Sequence, residues 1–375
     1  MAAGDLSPAL TALASPSVVD LFAGPGGLDL AARALGVPAI GIELDGSACI
    51  TRDNAGLETV NRDVRECNPF EFMAANVLTG GPPCQTFTVA GRGAGRSELD
   101  LVLELIRMLE NGDADAVERQ IGRLSDERTG LVLQPLLWVL RRVEAGVPFE
   151  AIVLEQVPAV EPIWDAIAEV LDRNGYAVAV GVLRTEEFGV PQTRRRAILI
   201  ARWGTPKGSV LLPSKTHQRY RGVLDTSEGR DSVVSMGDVL SDMGSFHLIS
   251  NYGTGGDPQA RGQRSSDQPA FTVTGKVLRN RIRRTGYPDR NLTPDEAGQL
   301  QTFPKGFPWG GKDLSQQIGN AVPPRLGIHV LCAAFGWDES RRDVAIAKNS
   351  VPWSPAEHGT TNVQEQRDAR LAMTR

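Results

Sequence analysis

Val18-Val19-Asp20-Leu21-Phe22-Ala23-Gly24-Pro25-Gly26-Gly27-Leu28 is the stretch that decides the fold. The apolar run 18–22 reads as a strand, three glycines follow in a turn, residues 28–35 have the length and pattern of a helix, and 39–44 form a second apolar run. A strand, a glycine turn, a helix and a strand in that order predict a βαβ unit, whose turn lets a ligand approach bare backbone at the start of a helix. The pattern repeats downstream. Residues 59–61 fall in a short third strand, 75–78 in a fourth and 151–154 in a fifth, with a helix over 162–173 behind it. Residues 176–183 and 196–201 follow each other without room for a crossover helix, so they are expected to pair antiparallel at the sheet edge. The expected fold class is α/β: a Rossmann-like, mostly parallel sheet with an antiparallel edge strand, plus a small second domain.

After Trp203 the texture changes to Gly, Ser and Pro with little periodicity. This sets the expected divisions: 1–202 as the sheet domain, 203–290 as the small domain, 291–337 as a return segment with helices near 294–301 and over 324–335, and 338–375 as a polar, partly disordered tail. The 375 residues are 41% hydrophobic and 23% charged with a net charge of −5, which argues against a uniformly basic surface. The charge is uneven: residues 203–290 hold 13 Lys and Arg against 8 Asp and Glu. From charge alone, that segment reads equally as a phosphate-binding patch or as a solvated basic face. Four cysteines, at 49, 67, 84 and 332, show no paired metal-ligand spacing, so neither a metal site nor a disulfide framework is expected, and a reducing, cytoplasmic setting is. No apolar run approaches the roughly 20 residues of a membrane span, and the Ala-rich start lacks the basic region of a signal peptide.

The glycine turn is weakly diagnostic by itself, because Asp29 stands where the dinucleotide fingerprint has its third glycine. Glu43 ends the second strand, placed to accept two ribose hydroxyls, and Asp63 lies just past the third, placed for an adenine amine. Three such features in strand order point to a nucleoside cofactor. S-adenosylmethionine fits best, since no cluster of phosphate-binding side chains accompanies the turn. Gly80-Gly81-Pro82-Pro83-Cys84-Gln85 then closes the fourth strand, placing a cysteine where open α/β sheets hold their ligands, on backbone stiffened by two prolines. Taken alone, Cys84 also reads as a small buried thiol; the surrounding motifs make it a nucleophile.

With these motifs in order, the chain resembles the cytosine-C5 DNA methyltransferases. The resemblance rests on DLFAGPGG at 20–27, Glu43, Asp63, GGPPCQ at 80–85, Glu155-Gln156-Val157, Gln192-Thr193-Arg194-Arg195-Arg196, the segment 269–275 and Gln317-Ile318-Gly319-Asn320-Ala321-Val322-Pro323-Pro324, and so spans roughly 18–330. It implies an S-adenosylmethionine pocket made by Phe22, Ala23, Gly24, Gly26, Gly27, Leu28, Glu43, Leu44, Asp63 and Val64, and completed by Asn320 and Val322 from the return segment. It implies that Cys84 attacks carbon 6 of a flipped cytosine, that Glu155 contacts ring nitrogen 3 and the exocyclic amine, and that Arg194 and Arg196 supply positive charge. Gln85, Arg92 and Arg96, in a glycine-rich lid over 86–97, and Arg279, Arg281 and Arg283 in the basic segment are the expected contacts to double-stranded DNA. The small domain would read the sequence, no second subunit is expected, and a companion restriction endonuclease, not physically bound, is the implied partner in the cell. Two other readings stay open: methyl transfer to tRNA, and a catalytically silent DNA-binding relative.

Two features depart from the family pattern. Glu155-Gln156-Val157 stands where Glu-Asn-Val is usual, so the loop behind the glutamate is expected to differ. A long spacer, with helical character over 99–109, separates the lid from the stretch 126–131.

Overall fold

The computed structural model describes residues 10–83, 94–110, 114–121, 130–221, 229–251 and 262–355. Seven strands make the main sheet: β1 (Val18–Leu21), β2 (Ala39–Glu43), β3 (Glu58–Asn61), β4 (Val77–Gly80), β5 (Ala151–Gln156), β6 (Tyr176–Arg184) and β7 (Arg195–Trp203), in the order β3-β2-β1-β4-β5-β7-β6. β7 alone runs against its neighbours, pairing antiparallel with β5 and, over nine residue pairs, with β6 at the edge. The central strands β1, β4 and β5 are buried on both faces, as strands covered by crossover helices must be. Leu78, Ile152 and Leu154 point into one core with Trp138, Ile163 and Trp164, while Val77, Ala151 and Val153 point into the other with Ala31, Ile328 and Leu331.

Helices α1 (Gly27–Ala34) and α2 (Gly46–Asn54) follow β1 and β2; α3 (Ala94–Glu110), α4 (Ala114–Ile121) and α5 (Gln134–Glu144) lie between β4 and β5; α6 (Glu161–Arg173) precedes β6. The helical spacer is therefore real and begins earlier than expected, taking in residues 94–97 at the end of the lid. Its inner face, Val102, Leu105, Ile106 and Leu109, enters the same core as Trp164.

The small domain is a four-stranded sheet, β8 (His247–Ile249), β9 (Gln263–Ser265), β10 (Arg281–Arg283) and β11 (Arg290–Asn291), in the order β11-β10-β8-β9. Strands of two and three residues are too short to show a period of two, which is why the segment reads as irregular. Its core of Phe246, Leu248, Val273 and Ile282 also takes Ala297 and Leu300 from α7 (Pro294–Leu300). At the other end, Val210 is buried in the large-domain core and the Thr216 and His217 N–H groups both donate to the Glu187 carbonyl, at 3.1 and 3.0 Å. Residues 210–217 thus touch the large-domain core, and α7 adds to the core of the small sheet.

The return segment continues through α8 (Leu314–Asn320) into α9 (Pro324–Phe335), which lies on α1. Two glycines make this approach possible: a Cβ at Gly27 would sit 2.1 Å from the Val322 carbonyl oxygen, and one at Gly327 would sit 2.8 Å from the Ala31 Cβ. Residues 338–355, expected as the start of a polar tail, instead form α10 (Glu339–Asn349), capped by Asp338, and a strap. Ala345 is buried, the Asn349 amide donates to the Thr302 carbonyl at 2.9 Å, and Trp353 meets Phe307 edge-on at 5.2 Å. A helix that buries one narrow face keeps a polar composition, so composition alone misreads it; residues 356–375 lie outside the described residues. Among the described residues, no helix is long and apolar enough to cross a membrane.

Candidate active site

Strand order reverses between β1 and β4, which opens a crevice at their carboxyl ends, where Leu21 pairs with Gly80. On one side stands the glycine turn. Phe22, Gly24 and Gly26 all have positive φ (61°, 54° and 100°), a conformation that costs Phe22 strain and the glycines little. The glycines differ in use. A Cβ at Gly26 would strike Leu57 and one at Gly27 the Val322 carbonyl, whereas one at Gly24 would meet no described atom within 4 Å. Gly24 is thus the position that leaves backbone open to a ligand.

Glu43, at the end of β2, has one oxygen bonded by the Gly24 N–H and the other by the Asp45 N–H, both at 2.7 Å. A carboxylate has about four acceptor sites, so each oxygen retains one for a diol. Beside it Leu44 is 62% exposed, an apolar surface suited to a flat ring. Asp63 is differently engaged: it caps the turn Val64–Glu66 and pairs with Arg65 at 2.7 Å, which holds its carboxyl below the usual range. An adenine amine would share Asp63 with Arg65. Ala23, Leu28 and Val64 are buried and support the turn from below, while Asn320 is exposed and Val322 half-buried on the return segment.

Asp29, the residue in place of a third glycine, makes a buried two-bond ion pair with Arg52 (2.8 and 2.7 Å). The Arg52 Nε donates to Thr59 Oγ1 at 2.9 Å, and its guanidinium occupies the space left by Gly41. Asp20 accepts from Thr79 Oγ1 at 2.5 Å; burial first, and Asp29 second, push its carboxyl well above the ordinary range. This network under the turn is invisible in the motif pattern. An arginine within a polar helix gives no signal of burial.

Across the crevice, β4 ends in Gly80 and runs into Gly81 and the buried Pro82. The Gln156 side-chain amide donates to the Pro82 carbonyl, and its oxygen accepts from Val157 N at 2.6 Å. Gln156 thus bridges two backbone groups, the Pro82 carbonyl and the Val157 N–H. Glu155 is buried, and a Cβ on Gly81 would stand 3.6 Å from its Oε2. Because β7 is antiparallel, its first residues arrive at this same sheet end, and Arg196 Nε meets Glu155 Oε1 at 2.7 Å.

Arg194 is not part of that pair. It is 1% exposed and donates to the carbonyls of Val273, Gly319 and Ala321 at 2.7, 3.0 and 3.3 Å. Burial depresses its proton affinity, and three carbonyl dipoles compensate the cation. Expected as a source of positive charge at the site, it links the residue before β7 to the segment 269–275 and to the return segment. Gln192 and Gln301 extend the link: Gln192 donates to the Leu300 carbonyl (2.9 Å) and the Gln301 oxygen (2.5 Å), and Gln301 donates to the Ile318 carbonyl (2.7 Å). Cys84, Gln85 and Arg92 lie outside the described residues, as does the side chain of Arg96.

In the small domain, Arg281 and Arg283 project from one exposed face of β10 with Ile282 buried behind them, and Arg279 is exposed on the preceding turn. Asp289 faces both β10 arginines, at 3.6 and 3.1 Å, so their charge is partly compensated.

Open backbone and free acceptor sites at the ends of β1 and β2 face a carboxylate–guanidinium pair at the ends of β5 and β7, a layout that suits an α/β transferase with a nucleoside cofactor. The chain belongs to the C-5 cytosine-specific DNA methylase family, whose model matches residues 17–117 and 150–334. It is 27% identical over 362 residues to the Type II methyltransferase M1.HphI of Haemophilus parahaemolyticus, covering 86% of this chain and 87% of that one. It is 29% identical over 325 residues to the Type II methyltransferase M.AplI of Arthrospira platensis, covering 82% of each. A crystal structure of the S. pombe Dnmt2 methyltransferase shares the fold with a TM-score of 0.56 at 16% identity, over 85% of this chain and 98% of that one. The protein is a DNA cytosine-C5 methyltransferase, with S-adenosylmethionine as methyl donor.

Proposed function

We propose that the chain methylates carbon 5 of a cytosine flipped out of duplex DNA, through a covalent bond between Cys84 and carbon 6. Cytosine carbon 5 is too weak a nucleophile to take a methyl group directly. Addition of the Cys84 thiolate to carbon 6 moves an electron pair onto carbon 5, making an enamine; after methyl transfer, loss of the carbon-5 proton to a base expels the thiolate and restores the ring. Bound S-adenosylmethionine supplies the electrophilic methyl group. Glu43, the Gly24 backbone and Leu44 fit its ribose and ring, since they combine free acceptor sites, open backbone and exposed apolar surface.

The observation that carries this reading is the meeting of Glu155, Arg196 and Gln156 beside Gly81 and Pro82. Arg196 fixes the Glu155 carboxylate for ring nitrogen 3 and the exocyclic amine, and Gln156 holds the turn from which Cys84 departs. Arg281 and Arg283 bind phosphate, with Asp289 released from them when DNA arrives. The relatives named Type II methyltransferases support a modification role on double-stranded DNA. Bisulfite sequencing of DNA from cells expressing the protein tests the reading: one short sequence context becomes protected at its cytosine, and the Glu155→Ala variant leaves it unprotected. Protection equal in that variant, or none in the wild type, contradicts it.

A further inference from the structure

At the catalytic end of the sheet stands a second pair of cations. Arg184, the last residue of β6, and Arg195, the first of β7, lie directly opposite each other in the antiparallel ladder, with Cα atoms about 5 Å apart. Like charges facing across a ladder destabilise a sheet. Arg195 is exposed and Arg184 half-buried, and among the described residues neither side chain has a hydrogen bond or an ion pair. Arg173, Arg281, Arg283, Arg290 and Arg342, by contrast, each face a carboxylate. The two acids next along the chain leave the pair uncompensated. Glu187 is taken by Lys215 at 3.0 Å, and Glu186, which feels the Arg184 charge without reaching ion-pair distance, is 1% exposed, with its carboxyl pushed up by burial.

The position of the pair suits a nucleic-acid backbone. Glu155 is in register with Ile198, so Arg195 stands three residues, roughly 10 Å, past the level of Glu155, and Arg184 one strand, roughly 5 Å, further out. Alternation puts Glu155 and Arg196 on one face of the sheet and Arg184 and Arg195 on the other, where Val182 and Ala197 join the core that holds Leu105 of α3. Helix α3 opens with residues 94–97, the end of the expected lid. A cytosine is joined to the phosphates on either side of it through a single sugar, so with the base at Glu155 those phosphates lie within this range. Guanidinium groups match phosphate oxygens two by two, and a strand of DNA offers one phosphate every roughly 3.4 Å of its axis.

We propose that Arg184 and Arg195 clamp the phosphates of the strand that carries the flipped cytosine, an inference that rests on the DNA-methylating role proposed above. Titrations of the full chain on target and non-target duplexes at several salt concentrations test it. Arg184→Ala/Arg195→Ala is expected to weaken binding to both duplexes about tenfold or more and to reduce the salt slope by about two, while S-adenosylmethionine affinity stays within about twofold of wild type. Arg195→Glu is expected to bind duplex more weakly than Arg195→Ala, yet to unfold in urea at the wild-type midpoint or above it, because it sets a carboxylate opposite Arg184. A merely structural pair would move both readings the same way. A third measurement needs no variant: in the wild type, saturating duplex should shield both arginines from phenylglyoxal, read by mass spectrometry, and S-adenosylmethionine alone should not. An unchanged salt slope in the double variant, a loss confined to the target duplex, a lowered urea midpoint for Arg195→Glu, or modification that duplex leaves unaltered would each overturn the clamp alone. Wild-type protein without salt-dependent binding to duplex would overturn the clamp and the DNA-methylating role together.

Discussion

Replacing Arg52 with methionine tests whether the glycine turn rests on a buried charge network. Arg52 and Asp29 are fully enclosed, and Asp20 stands beside Asp29 with a carboxyl whose proton affinity is already raised. Methionine matches the length of the stem but removes the cation, leaving Asp29 buried without its partner. Breaking a buried pair from one side costs about 3–5 kcal/mol, against about 5–15 kcal/mol for the whole fold. With a urea m-value of about 3 kcal/mol/M, the midpoint of unfolding should fall by about 1–1.7 M. The double variant Asp29→Leu/Arg52→Met removes both charges and should recover to within about 1.5 kcal/mol of wild type, because two apolar side chains can fill the space of the pair. Urea unfolding followed by circular dichroism on the three proteins measures this. A loss under about 1 kcal/mol for Arg52→Met, or a double variant as unstable as the single one, would show that Arg52 is not holding the turn through Asp29.

Three further outcomes are expected. Glu43→Ala should weaken S-adenosylmethionine binding by about 1.5–3 kcal/mol, or roughly ten- to a hundredfold, by calorimetry, while Leu44→Ala changes it less. Arg281→Ala/Arg283→Ala should weaken binding to target and non-target duplexes alike and reduce the salt slope by about one unit per lost phosphate contact, less to the extent that Asp289 already compensates the pair. Asp20 has a folded-state pKa above its unfolded value of about 3.9, so its contribution to stability is fully present below that pH and is lost as pH rises through the folded pKa. Asp20→Asn removes this titration and should flatten the decline in stability above about pH 4 in denaturation series at several pH values.

The parts of the molecule legible in its sequence are those governed by short-range rules. The β1 turn with its glycines and the β6–β7 pairing follow from apolar runs and from the length of chain between them. α2 and the small sheet escape such reading. Helix α2 is marked only by the Asp45 cap before a polar stretch with little amphipathic pattern, and β8 to β11 are two or three residues long. At the site, Glu43 and Glu155 were placed by their positions at strand ends, and both stand at the crevice. Arg194 and Arg196 are alike in sequence and two apart, yet only Arg196 reaches Glu155. β7 begins at Arg195, so Arg194 precedes the strand and turns into carbonyls supplied from 79, 125 and 127 residues away. Contacts that distant leave no local trace. The same holds for Trp353 and Asn349, whose partners lie on the loop between α7 and α8.

The central claim is the covalent role of Cys84, and trapping on duplex DNA tests it most directly. A duplex carrying 5-fluorocytosine at the target position cannot complete the reaction, because fluorine does not leave as the proton does. Incubated with S-adenosylmethionine, denatured and separated by size, the wild-type protein is predicted to give a protein–DNA adduct approaching one per active molecule, and Cys84→Ala to give none. An adduct of equal yield in Cys84→Ala, or complete methylation of ordinary cytosine by that variant, would contradict the account.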